Sequence, residues 1–247
     1  MPRTIKKSLF RRYNSGEEKQ VWTEIEAMGK GALSPENKRE VLPVLTDLMI
    51  RVKYNIDILH ENIRREGYYF NNKFPVKSPS KNFENQLVKL QFFYQQFNLH
   101  LPLSIMKFFE IVGEVNFTGH NLGEIDEHPY ADPLVIYGLD ELVEYIFQDK
   151  GFYKAAIEES LRDNYKIGLL VSIDAHHKIG EQGGEPYQIE LLPYQALDSI
   201  LLYEEKDITF IRYLRKTFKQ CGFSKLNVNA MKDQSLVKRL KKGLKPI

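Results

Sequence analysis

The most constraining feature of this 247-residue sequence is a long apolar stripe in its first third. Seven aliphatic side chains recur there at helical spacing: Val41, Leu45, Leu48, Val52, Ile56, Leu59 and Ile63. Such a stripe predicts a long amphipathic helix that buries one face against other elements. Ser34-Pro35 suits the first turn of this helix and Gly67 its end, whereas Pro43 predicts a bend or a later start.

Apolar spacing elsewhere predicts further helices, over 16–28, 83–97, 105–112, 139–147 and 209–218. Strand-like runs occupy 114–117, 134–137, 167–173 and 187–192. The last two runs flank a polar turn region and predict a hairpin. This order of elements predicts an α+β fold, in which a mixed, largely antiparallel sheet is flanked by helices and preceded by an N-terminal helical extension.

Charge divides the chain into three regions. Residues 1–82 hold 16 Lys+Arg against 10 Asp+Glu, residues 83–223 hold 12 against 22, and residues 224–247 hold 7 against 1. The regional charges are therefore +6, −10 and +6, which sum to the net charge of +2. Because the stretch 71–82 is polar and contains two prolines, it predicts a linker. We expect a helical N-terminal region over 1–82, an α+β core over 83–223 and a basic C-terminal tail over 224–247.

The acidic middle region favours a basic partner, because opposite charge steers association. The basic ends have two interpretations: they fold back on the acidic body, or they contact nucleic acid or membrane. The tail sequence from Lys238 to Lys242 is a basic cluster suited to phosphates. This cluster lacks interleaved aromatic residues on which bases could stack, so a helix end exposed to solvent is the alternative interpretation. No other part of the chain is expected to bind nucleic acid.

Three features that the sequence lacks bear on where in the cell the protein is expected. No apolar run approaches the ~20 residues that a membrane-spanning helix needs, so no membrane partner is expected. The basic stretch from Met1 to Tyr13 lacks the apolar segment of a secretory signal. A single cysteine, Cys221, cannot form an internal disulfide, which fits a reducing compartment. We therefore predict a cytoplasmic protein.

The sequence contains no glycine-rich phosphate loop, no G-x-S-x-G and no H-E-x-x-H. One group has the residue types of a zinc or iron site: Asp174, His176 and His177, with Glu181 and Glu185 nearby. Adjacent histidines at a strand end point to opposite faces, which favours surface histidines over metal ligands. We predict a non-enzyme without catalytic residues, metal or cofactor.

The segment 118–132 has no periodicity and predicts a long loop rich in acidic residues. Glu124, Asp126 and Glu127 lie within it, but their spacing is not that of a calcium-binding loop. This pattern is more typical of an acidic surface that faces a partner.

Four segments carry a family resemblance by their order along the chain. They are LPLSIMKFFEIVGEVNFTGH (101–120), ADPLVI (131–136), HKIGEQGGEPYQIELL (177–192) and ALDSILLYEEKDITFIRYLRKTFKQCGF (196–223). Together they resemble the SUKH superfamily, which includes fungal cell-wall regulators and many bacterial immunity proteins. The resemblance covers about half of the chain.

The resemblance implies an α+β protein that is not an enzyme and that holds a partner on the concave face and loops of its sheet. Bacterial members are thought to bind and inhibit toxins, frequently nucleases or deaminases. A nuclease needs a basic site for phosphates, and an acidic body complements such a site. The first expectation is therefore an immunity protein that neutralises a basic toxin. The alternatives are a regulatory scaffold of cell-wall or signalling type and, from another class, a metal-dependent hydrolase built on the loop 174–185.

The residues expected to contact the partner are acidic and lie on two loops. The first loop supplies Glu124, Asp126, Glu127 and Asp132, and the hairpin loop supplies Glu181 and Glu185.

Overall fold

The computed structural model describes residues 8–128, 130–204 and 208–247. The helices in these ranges are α1 (Leu9–Tyr13), α2 (Glu18–Ala27), α3 (Pro35–Arg65), α4 (Phe83–Gln95), α5 (Leu103–Ile111), α6 (Leu139–Gln148), α7 (Lys150–Arg162), α8 (Phe210–Lys219) and α9 (Gln234–Lys241). The strands are β1 (Tyr69–Phe70), β2 (Val76–Lys77), β3 (Glu114–Asn116), β4 (Gly119–His120), β5 (Val135–Ile136), β6 (Gly168–Ser172), β7 (Tyr187–Glu190) and β8 (Leu201–Leu202). The predicted α+β class is confirmed. Within the described ranges, no helix combines the length and apolarity needed to cross a membrane.

The long helix α3 begins at the predicted place, where the Ser34 hydroxyl accepts a hydrogen bond from the Asn37 backbone N–H at 3.3 Å. It runs through Pro43, so the helix has no later start. All seven residues of the apolar stripe are buried. They pack against helices from both ends of the sequence, since α3 contacts α1, α5 and α9. The helix is therefore a central element of the protein.

The strands form three small sheets in place of the single sheet expected from the sequence. Their orders are β1-β4, β2-β3-β5 and β6-β7-β8, and every pairing among these strands is antiparallel. The predicted hairpin is present as β6 and β7, with a register shift between Leu170 and Ser172. A hydrogen bond from the Tyr137 N–H to the Val171 carbonyl, 2.9 Å long, connects the second sheet to the third.

The three regions predicted from charge share one hydrophobic core. The expected linker 71–82 contains β2, which pairs with β3 inside the expected core region. In the C-terminal region, α9 packs on α3, and the Asn55 side chain donates to the Lys245 carbonyl at 2.8 Å. The segment 224–247 is therefore packed against the fold and is not a free tail.

Candidate partner-binding site

The hairpin of β6 and β7 has one face in the core and one face toward the outside. Leu169, Val171 and Ile189 are fully buried, whereas Leu170 and Gln188 are half-buried on the opposite face. This alternation follows from the two-residue period of a strand. The outer face of this sheet therefore forms the floor of a surface that helices outside the sheet border.

Two adjoining cavities lie over this outer face, with volumes of about 350 and 600 Å³. They share Tyr145, Leu170 and Pro186, so they form one continuous groove. Helices α6 and α7 line one side of it. We call it the tyrosine groove, because six tyrosines line it: the buried Tyr94, and Tyr137, Tyr145, Tyr153, Tyr165 and Tyr203.

Three tyrosines of the groove are accessible, and one of these three contacts the ring of another tyrosine. Tyr145, Tyr165 and Tyr203 are 50%, 71% and 55% exposed. The Tyr145 and Tyr153 rings meet edge to face, with centroids 5.5 Å apart. Tyrosine supplies a large apolar contact area with a polar tip, which is why it is enriched at binding surfaces. Such a groove suits a protein segment better than a small polar ligand.

One end of the tyrosine groove is acidic. Glu141 and Asp174 line it there, beside His177, and this smaller cavity contains no lysine or arginine among its described lining residues. Glu141 is exposed but partly desolvated by the groove, and this desolvation and the nearby Glu114 carboxylate raise its pKa. Burial opposes the charge of Asp174, but hydrogen bonds from the His177 side chain and from two backbone N–H groups outweigh it and lower the pKa of Asp174.

The two loops that were expected to contact a partner do lie together. The Tyr130 hydroxyl donates to the Glu181 carboxylate at 3.1 Å, and Nδ1 of His176 lies 3.1 Å from the same carboxylate. The Tyr130 and His176 rings also meet edge to face, 5.0 Å apart. Glu181, Glu185 and Glu141 are exposed, and Glu185 directly precedes Pro186 of the groove. We call these three glutamates the acidic rim.

Asp132 departs from the expectation that it faces a partner, because its side chain is completely buried. It pairs with Nζ of Lys178 at 2.5 Å and accepts hydrogen bonds from Tyr187 at 3.0 Å and Ser224 at 2.5 Å. The Lys178 side chain is also completely buried, and burial lowers its pKa although Asp132 opposes this. This buried pair fixes the hairpin loop against the first loop, so Asp132 positions the surface without being part of it.

The other acidic residues of the first loop differ in what they contact. The Glu124 carboxylate accepts the backbone N–H groups of Lys232 and Asp233 at 2.8 and 2.9 Å, and these hydrogen bonds lower its pKa. Asp126 accepts the N–H of Leu122 at 2.8 Å. Glu127 is exposed. Of this set, Glu124 mainly holds the C-terminal segment, whereas Asp126 and Glu127 remain candidates for partner contact.

The histidines of the hairpin loop bind two different carboxylates: His177 contacts Asp174, and His176 contacts Glu181. In the ranges that the structure describes, no three His, Cys, Asp or Glu side chains are grouped as ligands for a metal ion. Gly184, with φ of +84°, lies where a Cβ would be 2.5 Å from an oxygen of Asp174. The loop therefore depends on glycine at this position to approach Asp174 closely.

The tyrosine groove is the feature of the candidate site that the sequence does not predict. Its six tyrosines lie in six different helices or connecting segments, so no local sequence motif predicts the groove. The available signal is composition, since eight of the chain's 14 tyrosines fall between residues 130 and 203.

The chain matches no family model, and it matches neither a curated protein nor a solved structure.

Proposed function

We propose that this chain is a non-enzymatic protein-binding module that holds its partner in the tyrosine groove and against the acidic rim. The observation that carries this proposal is the arrangement of the surface, an accessible aromatic groove bordered by exposed carboxylates. Protein interfaces concentrate aromatic contacts at their centre and keep charged groups at the periphery. The buried pair of Asp132 and Lys178 supports a preformed site, because it fixes the hairpin loop that carries Glu181 and Glu185.

The kind of partner follows from charge. The acidic rim and the charge of −10 over residues 83–223 favour a basic protein. Together with the resemblance to SUKH proteins, this supports an immunity protein that neutralises a basic toxin, such as a nuclease. A regulatory scaffold would use the same surface for a cell-wall or signalling protein, and it is the second candidate.

The groove is tested with the double variant Tyr145→Ala/Tyr165→Ala. Tagged wild type is used to capture partners from the native host, and the affinity of the captured protein is then measured with purified components. Because central aromatic residues dominate interfaces, we expect the affinity to fall by at least about 30-fold. The control is Phe74→Ala/Phe92→Ala, which removes two aromatic side chains that are 60% and 67% exposed and lie outside the groove.

The immunity proposal requires the captured protein to be basic and toxic when it is expressed alone. Co-expression of wild type or the control variant should then restore growth, and the groove variant should not. Capture of a cell-wall or signalling protein would favour the scaffold instead. Equal binding by the groove variant and the control would refute the proposed site.

The acidic rim has a different expected effect, on the rate of association. With the captured partner, Glu181→Gln/Glu185→Gln should lower the association rate constant several-fold at low ionic strength and leave dissociation nearly unchanged. The difference should disappear at high salt, because screening removes long-range steering. The matched control, Glu36→Gln/Glu84→Gln, changes the net charge equally at exposed positions elsewhere. If both variants associate equally slowly, net charge is responsible and the rim is not.

A further inference from the structure

Basic residues from distant parts of the chain line a second cleft, with a volume of about 640 Å³. It lies between α2, α8 and the C-terminal segment, outside the tyrosine groove. We call it the basic cleft, and its cationic residues are Lys19, Arg212, Arg215, Lys219, Lys241 and Lys245. These positive charges repel one another across the cleft. A bound anion would relieve this repulsion and attract each of them, so the cleft favours anion binding.

The positive charge of the basic cleft is only partly neutralised by the protein. Glu18 and Glu26 also line it, but Glu18 pairs with Arg51 at 2.9 Å and Glu26 pairs with Arg212 at 2.9 Å. Four lysines of the cleft have no ion pair within the described part of the chain: Lys19, Lys219, Lys241 and Lys245. Arg215 contributes charge more than free donors, because its Nε donates to the Ile247 oxygen at 2.8 Å and its Nη2 is buried. The cleft therefore has donors and charge available for a ligand.

The packing of the C-terminal segment bears on whether this basic end folds back on the acidic body or is available to an outside partner. Its main contacts are with α3: Arg239 pairs with Glu66 at 2.8 Å, and Asn62 donates to the carbonyls of Leu240 and Lys242 at 2.9 Å. Its contacts with the acidic loop are hydrogen bonds from backbone N–H groups to Glu124, Ala131 and Asp132, and one from the Ser224 hydroxyl to Asp132. Among the described residues, no lysine or arginine side chain of the segment pairs with a carboxylate of that loop. The segment thus brings Lys241 and Lys245 beside the basic face of α8, and it does not neutralise the acidic surface.

We propose that the basic cleft binds the phosphate backbone of single-stranded nucleic acid, independently of base sequence. Phosphates match the lysine and arginine donors of the cleft. Because no lining residue offers an exposed aromatic ring for base stacking, the cleft holds a strand through its phosphates alone and binds it more weakly than a site that also stacks bases. A concave cleft admits a single strand, whereas a membrane surface is flat. The apolar residues of the cleft, such as Phe218 and Leu244, are not exposed, which disfavours insertion into lipid.

The test is binding of a labelled single-stranded RNA of about 16 nucleotides, followed by fluorescence anisotropy. If the four lysines contact phosphates, a plot of the logarithm of the association constant against the logarithm of the salt concentration should have a slope of about −2.8. The association constant should then fall about 50-fold between 50 and 200 mM salt. Lys219→Gln/Lys241→Gln should bind at least about tenfold more weakly at low salt and reduce the slope to about −1.4.

The matched control is Lys38→Gln/Lys81→Gln, which removes two exposed lysines that do not line the cleft. It should retain wild-type affinity and slope, and both variants should unfold at the wild-type denaturant midpoint. The proposal is overturned if wild type shows no salt-dependent RNA binding, or if the control loses as much affinity as the cleft variant. It is also overturned if the cleft lysines are needed for sedimentation with vesicles of phosphatidylcholine and phosphatidylglycerol but not for RNA binding.

Discussion

Replacing Lys178 by methionine should lower the free energy of unfolding by about 3–5 kcal/mol. Methionine is unbranched like lysine and only one atom shorter, but it has no charge, so the Asp132 carboxylate stays buried without its cation. The cost arises because a buried carboxylate loses solvation and now lacks the Coulombic attraction that offset that loss. Denaturant unfolding followed by circular dichroism measures the change.

An ion pair on the surface is the control for this prediction. Lys154 pairs with Glu158 at 3.7 Å on α7, and the two side chains are 55% and 56% exposed. Lys154→Met should cost less than about 1 kcal/mol, since exposed pairs contribute little. Adding Asp132→Asn to Lys178→Met should recover part of the loss, because asparagine still accepts hydrogen bonds but carries no charge. Similar losses for Lys178→Met and Lys154→Met would contradict the role given to the buried pair.

Replacing Leu59 by alanine should lower the free energy of unfolding by about 2–5 kcal/mol, in one transition that includes the whole chain. Leu59 is fully buried in the C-terminal third of α3. Its Cδ1 and that of Ile63 lie 3.6 and 3.5 Å from the position that a Cβ on Gly222 would occupy, so the N-terminal helix packs directly on the end of the α+β region. The removed methyl groups leave a cavity shared by both regions.

The fluorescence of the sole tryptophan offers a second signal with which to test this prediction of one unfolding transition. Trp22 lies in α2, and its ring is 5.3 Å from the Arg215 guanidinium of α8. Trp22 fluorescence and far-UV circular dichroism should therefore report the same midpoint in both wild type and Leu59→Ala. The control Ile50→Ala, on the same helix but 53% exposed, should change stability by no more than about 0.5 kcal/mol. Separate midpoints for the two signals would mean that residues 1–82 unfold independently.

The elements that the sequence predicts well are those with a sustained period. Helix α3 has seven stripe residues, and the hairpin of β6 and β7 has the alternation of a half-buried sheet, so both lie close to their predicted positions. By contrast, β1 and β2 are two residues long, and their pairing partners lie far away in sequence. No local pattern specifies such strands, which is why the stretch 71–82 resembles a linker.

The site was less predictable because burial of charge depends on the tertiary structure. Asp132 follows an acidic loop, and Lys178 lies in a polar turn beside two histidines, so both look exposed in the sequence. Only the folded chain places each as the other's partner, 46 residues apart. Glu181 and Glu185 were expected on the surface because they flank glycines in a hairpin loop, and both are exposed.

Helix α7 forms one side of the tyrosine groove but contributes a single buried side chain, Ile157, to the core. Most of its other residues are exposed, including Phe152 and Leu161. Substitutions at such positions usually change stability by less than about 0.5 kcal/mol. Most side chains on this side of the groove can therefore be exchanged while the fold is preserved, and under the proposed function such exchanges would change which partner the groove accepts. Divergence among homologous chains should concentrate on α7 and spare α3.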